Sequence, residues 1–329
     1  MSLQYLLTRR AINIAIGNAL EDMQSNTRRS IRNMIDLSLL FSKSENHKQF
    51  FSVAKKVVAN TKNPYTALAK RIIADMNTDA VKRIGVNLGY SSLTYGAGKL
   101  RKKQGELGEA LPWLLIFDIS ESISTFFDQM ISFIKDSREL GIYSYIVCPH
   151  NQDDILSLCK IAKSFEECLF GFKVPSSLIS ERTVEALAKT LNTTVCIQAA
   201  GDGFDCESDI NAFRLLKENR CVYGFCLNYN DQNIDQVASP ACIDAAIGQG
   251  NLFGVYRAED GVSEACKDAV YKFVCTTRGE NGQSLIALEW SRDMQYISDK
   301  IMSGEGYRAI GLTKKAHFAL KRGFEHKSG

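Results

Sequence analysis

The sequence predicts an α/β protein: a partial or complete TIM-like (β/α) barrel of parallel strands preceded by a helical N-terminal region. Three observations lead there. From Pro112 onward, short apolar runs alternate with amphipathic stretches at the spacing of a βα unit. The runs are nearly continuous, as in Trp113 to Phe117, which suits strands covered on both faces. Before Pro112 the apolar residues recur with a period nearer 3.6 than 2, the mark of helices.

Composition sets the outer bounds. A chain of 329 residues with 45% hydrophobic content can build a sizeable core. Its net charge of +3 is too small to argue for a nucleic-acid partner. No apolar run approaches the roughly 18 residues of a membrane span, and the start MSLQYLLTRRAINIAIGNAL lacks the order of a secretory peptide, so a cytoplasmic location without membrane contact is expected. The ten cysteines are scattered through strands and helices of a large chain, where reduced core thiols are the plain expectation.

Taken in order, residues 1–85 form the helical region. Leu6, Leu7, Ile12, Ile14 and Ile16 are followed by Ile31, Met34, Ile35, Leu37 and Leu40. Further helices are expected from Lys48 to Asn60 and, after Pro64, from Tyr65 to Met76, because proline suits a first helical turn. Residues 86–111 read as a Gly- and Ser-rich joint holding the basic run Lys99, Arg101, Lys102 and Lys103. With no RNA-binding aromatic motif beside it, a solvated face is the plainer reading than a phosphate or RNA contact. Gly96 and Gly98 lack the strand and the remaining glycines of a phosphate loop.

The barrel occupies 112–310. Strands are expected at 113–119, 143–148, 168–174, 194–200, 222–229, 252–257 and 284–290, with helices between them that open on Ser, Asp or Glu. Six or seven parallel strands with right-handed crossovers close most simply into a barrel, and a doubly wound open sheet is the alternative. Residues 311–329 form a basic tail.

Strand tips converge at a barrel mouth, so the polar residues there are the ligand-binding candidates: Asp118, His150, Lys173, Gln198, Asn228, Arg257 and Glu289. Asp118 with Glu289 could act as a carboxylate pair if their strands are neighbours. His150 beside Cys148 and Asp153 could be a metal or nucleophile group, but residues flanking a proline at a strand corner need share no task. The turn Gly201 to Asp205 lacks the spacing of a calcium loop. No metal site and no catalytic residue is assigned.

The segments PWLLIFDIS, SRELGIYSYIV, DDILSLCK, CLFGFKVPSSLISERTVEALAK and DINAFRLLKENRCVYGFCLNYN, within about 112–260, resemble the radical S-adenosylmethionine (radical SAM) enzymes in strand order and strand flanks. That resemblance implies a [4Fe-4S] cluster held by a Cys-x-x-x-Cys-x-x-Cys loop after the first strand, and a Gly-Gly-Glu-Pro segment after the second that holds the cofactor's amino group. Here the first place reads Asp118-Ile119-Ser120-Glu121-Ser122, and the second reads Cys148-Pro149-His150-Asn151. Thiols elsewhere, Cys196, Cys206, Cys221 and Cys226, lie on or beside strands, and strand alternation sends Cys221 and Cys226 to opposite faces. The expectation is a degenerate member that has lost the cluster and S-adenosylmethionine and needs no cofactor. It would act as a non-catalytic partner, scaffold or ligand sensor, alongside an active radical SAM relative or another protein, with a small polar ligand. The alternative is a cluster-independent lyase or hydrolase acting at the barrel mouth.

Overall fold

The structure is a computed structural model and describes residues 3–41, 48, 52, 55–56, 58–60, 63–119, 126–201, 203–279, 282–302 and 305–311. Eight parallel strands form one curled sheet: β1 Pro112–Asp118, β2 Ser144–Cys148, β3 Leu169–Pro175, β4 Thr193–Gln198, β5 Tyr223–Tyr229, β6 Phe253–Ala258, β7 Ile286–Glu289 and β8 Glu305–Gly311. Their spatial order is β7-β6-β5-β4-β3-β2-β1-β8. Strands β1 to β7 are neighbours in space in the order of the sequence, and β8 returns to the free edge of β1 as the last strand of a closing barrel does, so the doubly wound alternative is excluded. The edges β7 and β8 do not pair, so the barrel is partial.

Strand parity decides which face is core. On one face Leu115, Phe117, Tyr145, Val147, Phe170, Phe172, Val174, Val195, Ile197, Phe225 and Leu227 are buried. They pack under the crossover helices α5 Phe127–Leu140, α6 Gln152–Ser164, α7 Glu181–Ala188, α8 Glu207–Glu218, α10 Pro240–Gly248 and α11 Glu264–Thr277, with a short α9 at Ile234–Val237 and α12 at Trp290–Ile297. Rings interlock there: Phe117 meets Phe133 edge-on at 5.8 Å and Phe225 meets Tyr256 at 5.8 Å. Phe126, Phe127 and Phe133 belong to this core or lie against it, as their helical spacing predicts. The opposite face is half-buried at most positions, including Ile116, Ile146, Gly171, Thr194 and Val255. It is the concave trough.

Local chemistry starts the helices where the sequence said they would start. Asn151 and Asp154 form a reciprocal cap at the head of α6, and Ser180 with Thr183 does the same for α7. Ser239 and Ser263 cap α10 and α11.

The N-terminal region is helical: α1 Leu3–Phe41, kinked at Asn26, then α2 Pro64–Asp75 and α3 Thr78–Val86. Asn63 caps α2 and Pro64 supplies its first turn. In the expected helix from Lys48 to Asn60, the described residues Lys48, Ser52, Lys55, Lys56, Val58 and Ala59 are helical, whereas the basic tail past residue 311 lies outside the described residues. The joint is helical too. A wide-turned π-helix at Asn87–Gly96 runs straight into α4 Ala97–Leu107, so Gly and Ser here serve close packing rather than a loop. A Cβ on Gly96 would overlap the Gly141 carbonyl oxygen, and that close approach lets α4 lie against the end of α5. The basic run sits on α4 and meets carboxylates: Lys99 pairs with Glu139 at 3.1 Å and Lys103 with Glu106 at 2.7 Å.

This helical layer is bonded to the N-terminal ends of the strands. The Asn87 side-chain amide donates to the carbonyls of Glu166 and Cys168 at 2.9 and 2.8 Å, just before β3. Ser144 donates to Ser92 at 2.9 Å at the start of β2. Arg71 reaches the Ser284 carbonyl at 2.8 Å and that of Asn251, ahead of β7 and β6. The Asn77 amide donates to the Arg220 carbonyl at 2.9 Å, ahead of β5. The bottom of the half-barrel is thus covered, and the C-terminal strand ends are left for a site. No helix among the described residues is long and apolar enough to cross a membrane.

Candidate ligand site on the concave face

In a parallel sheet, residues matched across neighbouring strands stand side by side on one face. Asp118 on β1 is matched with Cys148 on β2. Lys173 on β3 is matched with Cys196 on β4, Gln198 on β4 with Cys226 on β5, and Asn228 on β5 with Arg257 on β6. All of these have the parity of the half-buried face. Register and alternation together therefore bring Asp118, Lys173, Gln198, Asn228 and Arg257 into one trough near the strand tips.

Two of the seven sequence candidates lie elsewhere. Glu289 is 2% exposed and faces the helix side. Its carboxylate accepts from the Tyr229 hydroxyl at 3.0 Å and from the Arg292 amide at 2.8 Å, which makes it the cap of α12. It therefore does not face Asp118, and the two do not form an acid–base pair across the trough. His150 is exposed on the turn after β2, where its amide donates to Asp154 at 3.2 Å. Asp153 pairs with Arg182 at 3.1 Å, while Cys148 points into the trough, so Cys148, His150 and Asp153 do not converge.

The trough holds three thiols that sequence reasoning did not assemble: Cys148, Cys196 and Cys226. Their fields overlap with those of Lys173, Arg257 and Asp118. Burial pushes Cys148 up to about 11, with Asp118 adding to the rise and Lys173 opposing it. Cys196 and Cys226 share a hydrogen bond. That bond, together with the charges of Lys173 and Arg257, holds Cys226 down to about 7 against burial. The same bond, then burial, pushes Cys196 well up. The two thiols therefore titrate as a unit, and the pair gives up its first proton more readily than an ordinary thiol. Neither Lys173 nor Arg257 makes a side-chain hydrogen bond or ion pair among the described residues.

The donor set does not fit an iron–sulfur cluster of the kind the resemblance implies. That chemistry takes three thiolates from one loop. The segment following β1 contains no cysteine, and its residues 120–125 lie outside the described residues. The three trough thiols come from three different strands. Among the described residues no group of three or more His, Cys, Asp or Glu side chains is arranged to hold a metal ion.

No family model matches the chain, and no curated protein matches it. Among solved structures, the chain is similar to Streptococcus suis SuiB, at 12% identity and a TM-score of 0.43 over 88% of this chain and 67% of that one. SuiB bound to S-adenosylmethionine matches at 12% identity and a TM-score of 0.43, over 68% of this chain and 53% of that one. SuiB bound to the precursor peptide SuiA matches at 13% and 0.37, over 88% and 67%. The chain spans about half to two thirds of the length of these proteins.

Proposed function

We propose that this chain is a radical-SAM-like half-barrel without an iron–sulfur site, acting as a non-catalytic ligand-sensing partner whose trough holds a small anionic molecule. One observation carries the reading. Lys173 and Arg257, each without a side-chain partner among the described residues, share the face that presents Gln198 and Asn228. Two unpaired cations beside two amides complement a carboxylate or phosphate, which would accept hydrogen bonds from all four. An acid–base enzyme is less well supported, since Asp118 is the one carboxylate on β1–β7 with the parity of the trough.

The test has two parts. Anaerobic reconstitution with iron and sulfide is expected to give no stoichiometric cluster and no cleavage of S-adenosylmethionine; a bound cluster that cleaves it overturns the reading. Calorimetric titration with suberate, a linear dicarboxylate, is expected to show salt-sensitive binding that Lys173→Gln together with Arg257→Gln weakens at least tenfold. Folded wild-type protein that binds no suberate at low salt also overturns it.

A further inference from the structure

Eight of the ten cysteines fall into two sets. Cys159, Cys168, Cys221, Cys242 and Cys266 are buried in the core beneath the helices, where a thiol serves as a small apolar filler. Cys148, Cys196 and Cys226 have the parity of the trough, and two of them are bonded to each other next to two cations. Core packing does not explain that placement. A soft metal ion does not explain it either, because Lys173 and Arg257 would repel a cation, and no metal-holding group of three or more occurs among the described residues. The same charges favour a thiolate and draw an anionic reactant toward it.

We propose that the Cys196–Cys226 pair is a thiol–disulfide exchange site for small disulfides that carry carboxylates. This rests on the reading of the trough as an anion site and names the class of reactant. Cys226 supplies the thiolate, whose sulfur attacks one sulfur of R–S–S–R. A new Cys226–S–S–R bond forms as the old S–S bond breaks. The electron pair of the broken bond leaves on R–S⁻, which takes the proton from the Cys196 thiol and departs as R–SH. Cys196 is left as the thiolate. The charge of the pair is unchanged, the Cys226 sulfur is oxidised, and the departing sulfur is reduced. Lys173 and Arg257 hold the carboxylates of R. Cys226 is only 4% exposed, which disfavours bulky disulfides.

The test uses the full chain, reduced and then freed of reductant. It is incubated with 3,3′-dithiodipropionate, a dianion, or with cystamine, a dication of similar reach, and adducts are followed by intact mass and peptide mapping. The expected result is one adduct on the Cys196–Cys226 pair, formed at least tenfold faster with the dianion. Cys226→Ser removes it and Cys196→Ser slows it. Lys173→Gln with Arg257→Gln brings the two reagents within about twofold of each other. Equal rates for the two reagents on the wild-type protein, or adducts confined to other cysteines, overturn the proposal and need no variant to be observed. The doubly substituted Cys196→Ser, Cys226→Ser protein is titrated with suberate, which replaces the S–S unit of the dianion by two methylenes. Suberate binding without exchange in the wild-type protein sinks this inference alone, whereas a wild-type protein that binds no suberate sinks the trough reading beneath it.

Discussion

Lys173 stands directly across the β3–β4 pairing from Cys196, on the face opposite the core. A cation next to a thiol on the neighbouring strand favours the thiolate, and Lys173 acts in that direction on both Cys196 and Cys226. This relationship makes the trough electrostatically distinct from the rest of the sheet.

The thiol pair gives a pH dependence of stability with a definite sign. The hydrogen bond with Cys196 and the charges of Lys173 and Arg257 hold Cys226 down to about 7, below the ordinary thiol value of 9.0. A lowered value means its contribution is fully present above the unfolded value and is lost as pH falls through about 7. The unfolding free energy of the wild-type protein in urea, minus that of Cys226→Ala, is therefore expected to rise between pH 6 and 8.5, by an amount of order 1–2 kcal/mol. A flat difference would refute the assignment. Thiolate absorbance near 240 nm should show a single early step near pH 7, and Cys196→Ala should move it upward.

Arg278 and Asp293 form a two-pronged pair at 2.7 and 2.8 Å, and Asp293 also accepts from the Glu289 amide at 2.8 Å. Asp293 is buried, so removing its partner leaves a charge without compensation. Arg278→Met is expected to cost about 3–5 kcal/mol by chemical denaturation. Replacing both residues together with apolar ones should cost less than that single change, which a double-mutant cycle reads directly.

Gly254 on β6 has no room for a side chain: a Cβ there would overlap the Phe225 ring. That ring is itself held edge-on by Phe204 at 4.7 Å and by Tyr256 at 5.8 Å. Gly254→Ala should therefore destabilise by about 1–3 kcal/mol through overpacking. Gly171 on β3 is the control, since its nearest neighbour would be an ordinary contact at 3.4 Å, and Gly171→Ala should be close to neutral in thermal denaturation.

Asn87 links three parts of the molecule, accepting from Arg9 at 2.7 Å and donating to the Glu166 and Cys168 carbonyls. Asn87→Ala strands those groups in a buried setting, at a cost of about 1–3 kcal/mol. Hydrogen exchange should report the loss chiefly as faster opening of α1 and the π-helix, with the strand amides of β3–β5 little changed.

Most of the fold was legible in the sequence because buried parallel strands are written as apolar runs and helix starts as Asn, Ser and Pro. All seven expected strands match to within one or two residues at each end. The eighth, Glu305–Gly311, was missed: EGYRAIG carries two charges and two glycines in seven residues and has no continuous apolar run. The joint misled because Gly and Ser signal loops on average, whereas Gly96 is required by a close approach of two backbones. Asp118, Lys173, Gln198, Asn228 and Arg257 were expected together from their places at strand ends, and the register sets them on one face. The thiol pair was not, although parity alone puts Cys196 and Cys226 on polar faces, because their proximity depends on the register between β4 and β5, which no single strand encodes. Glu289 reads as a strand-tip acid, yet it sits one step past the parity that would turn it inward.

A closed barrel has its radius set by strand number and stagger. Because β7 and β8 do not meet, this sheet has no such constraint, and its curvature is held by the crossover helices on its back and the helical layer at its foot. A small change in how those helices pack would widen or narrow the cleft between Lys173 and Arg257 without breaking a strand pairing.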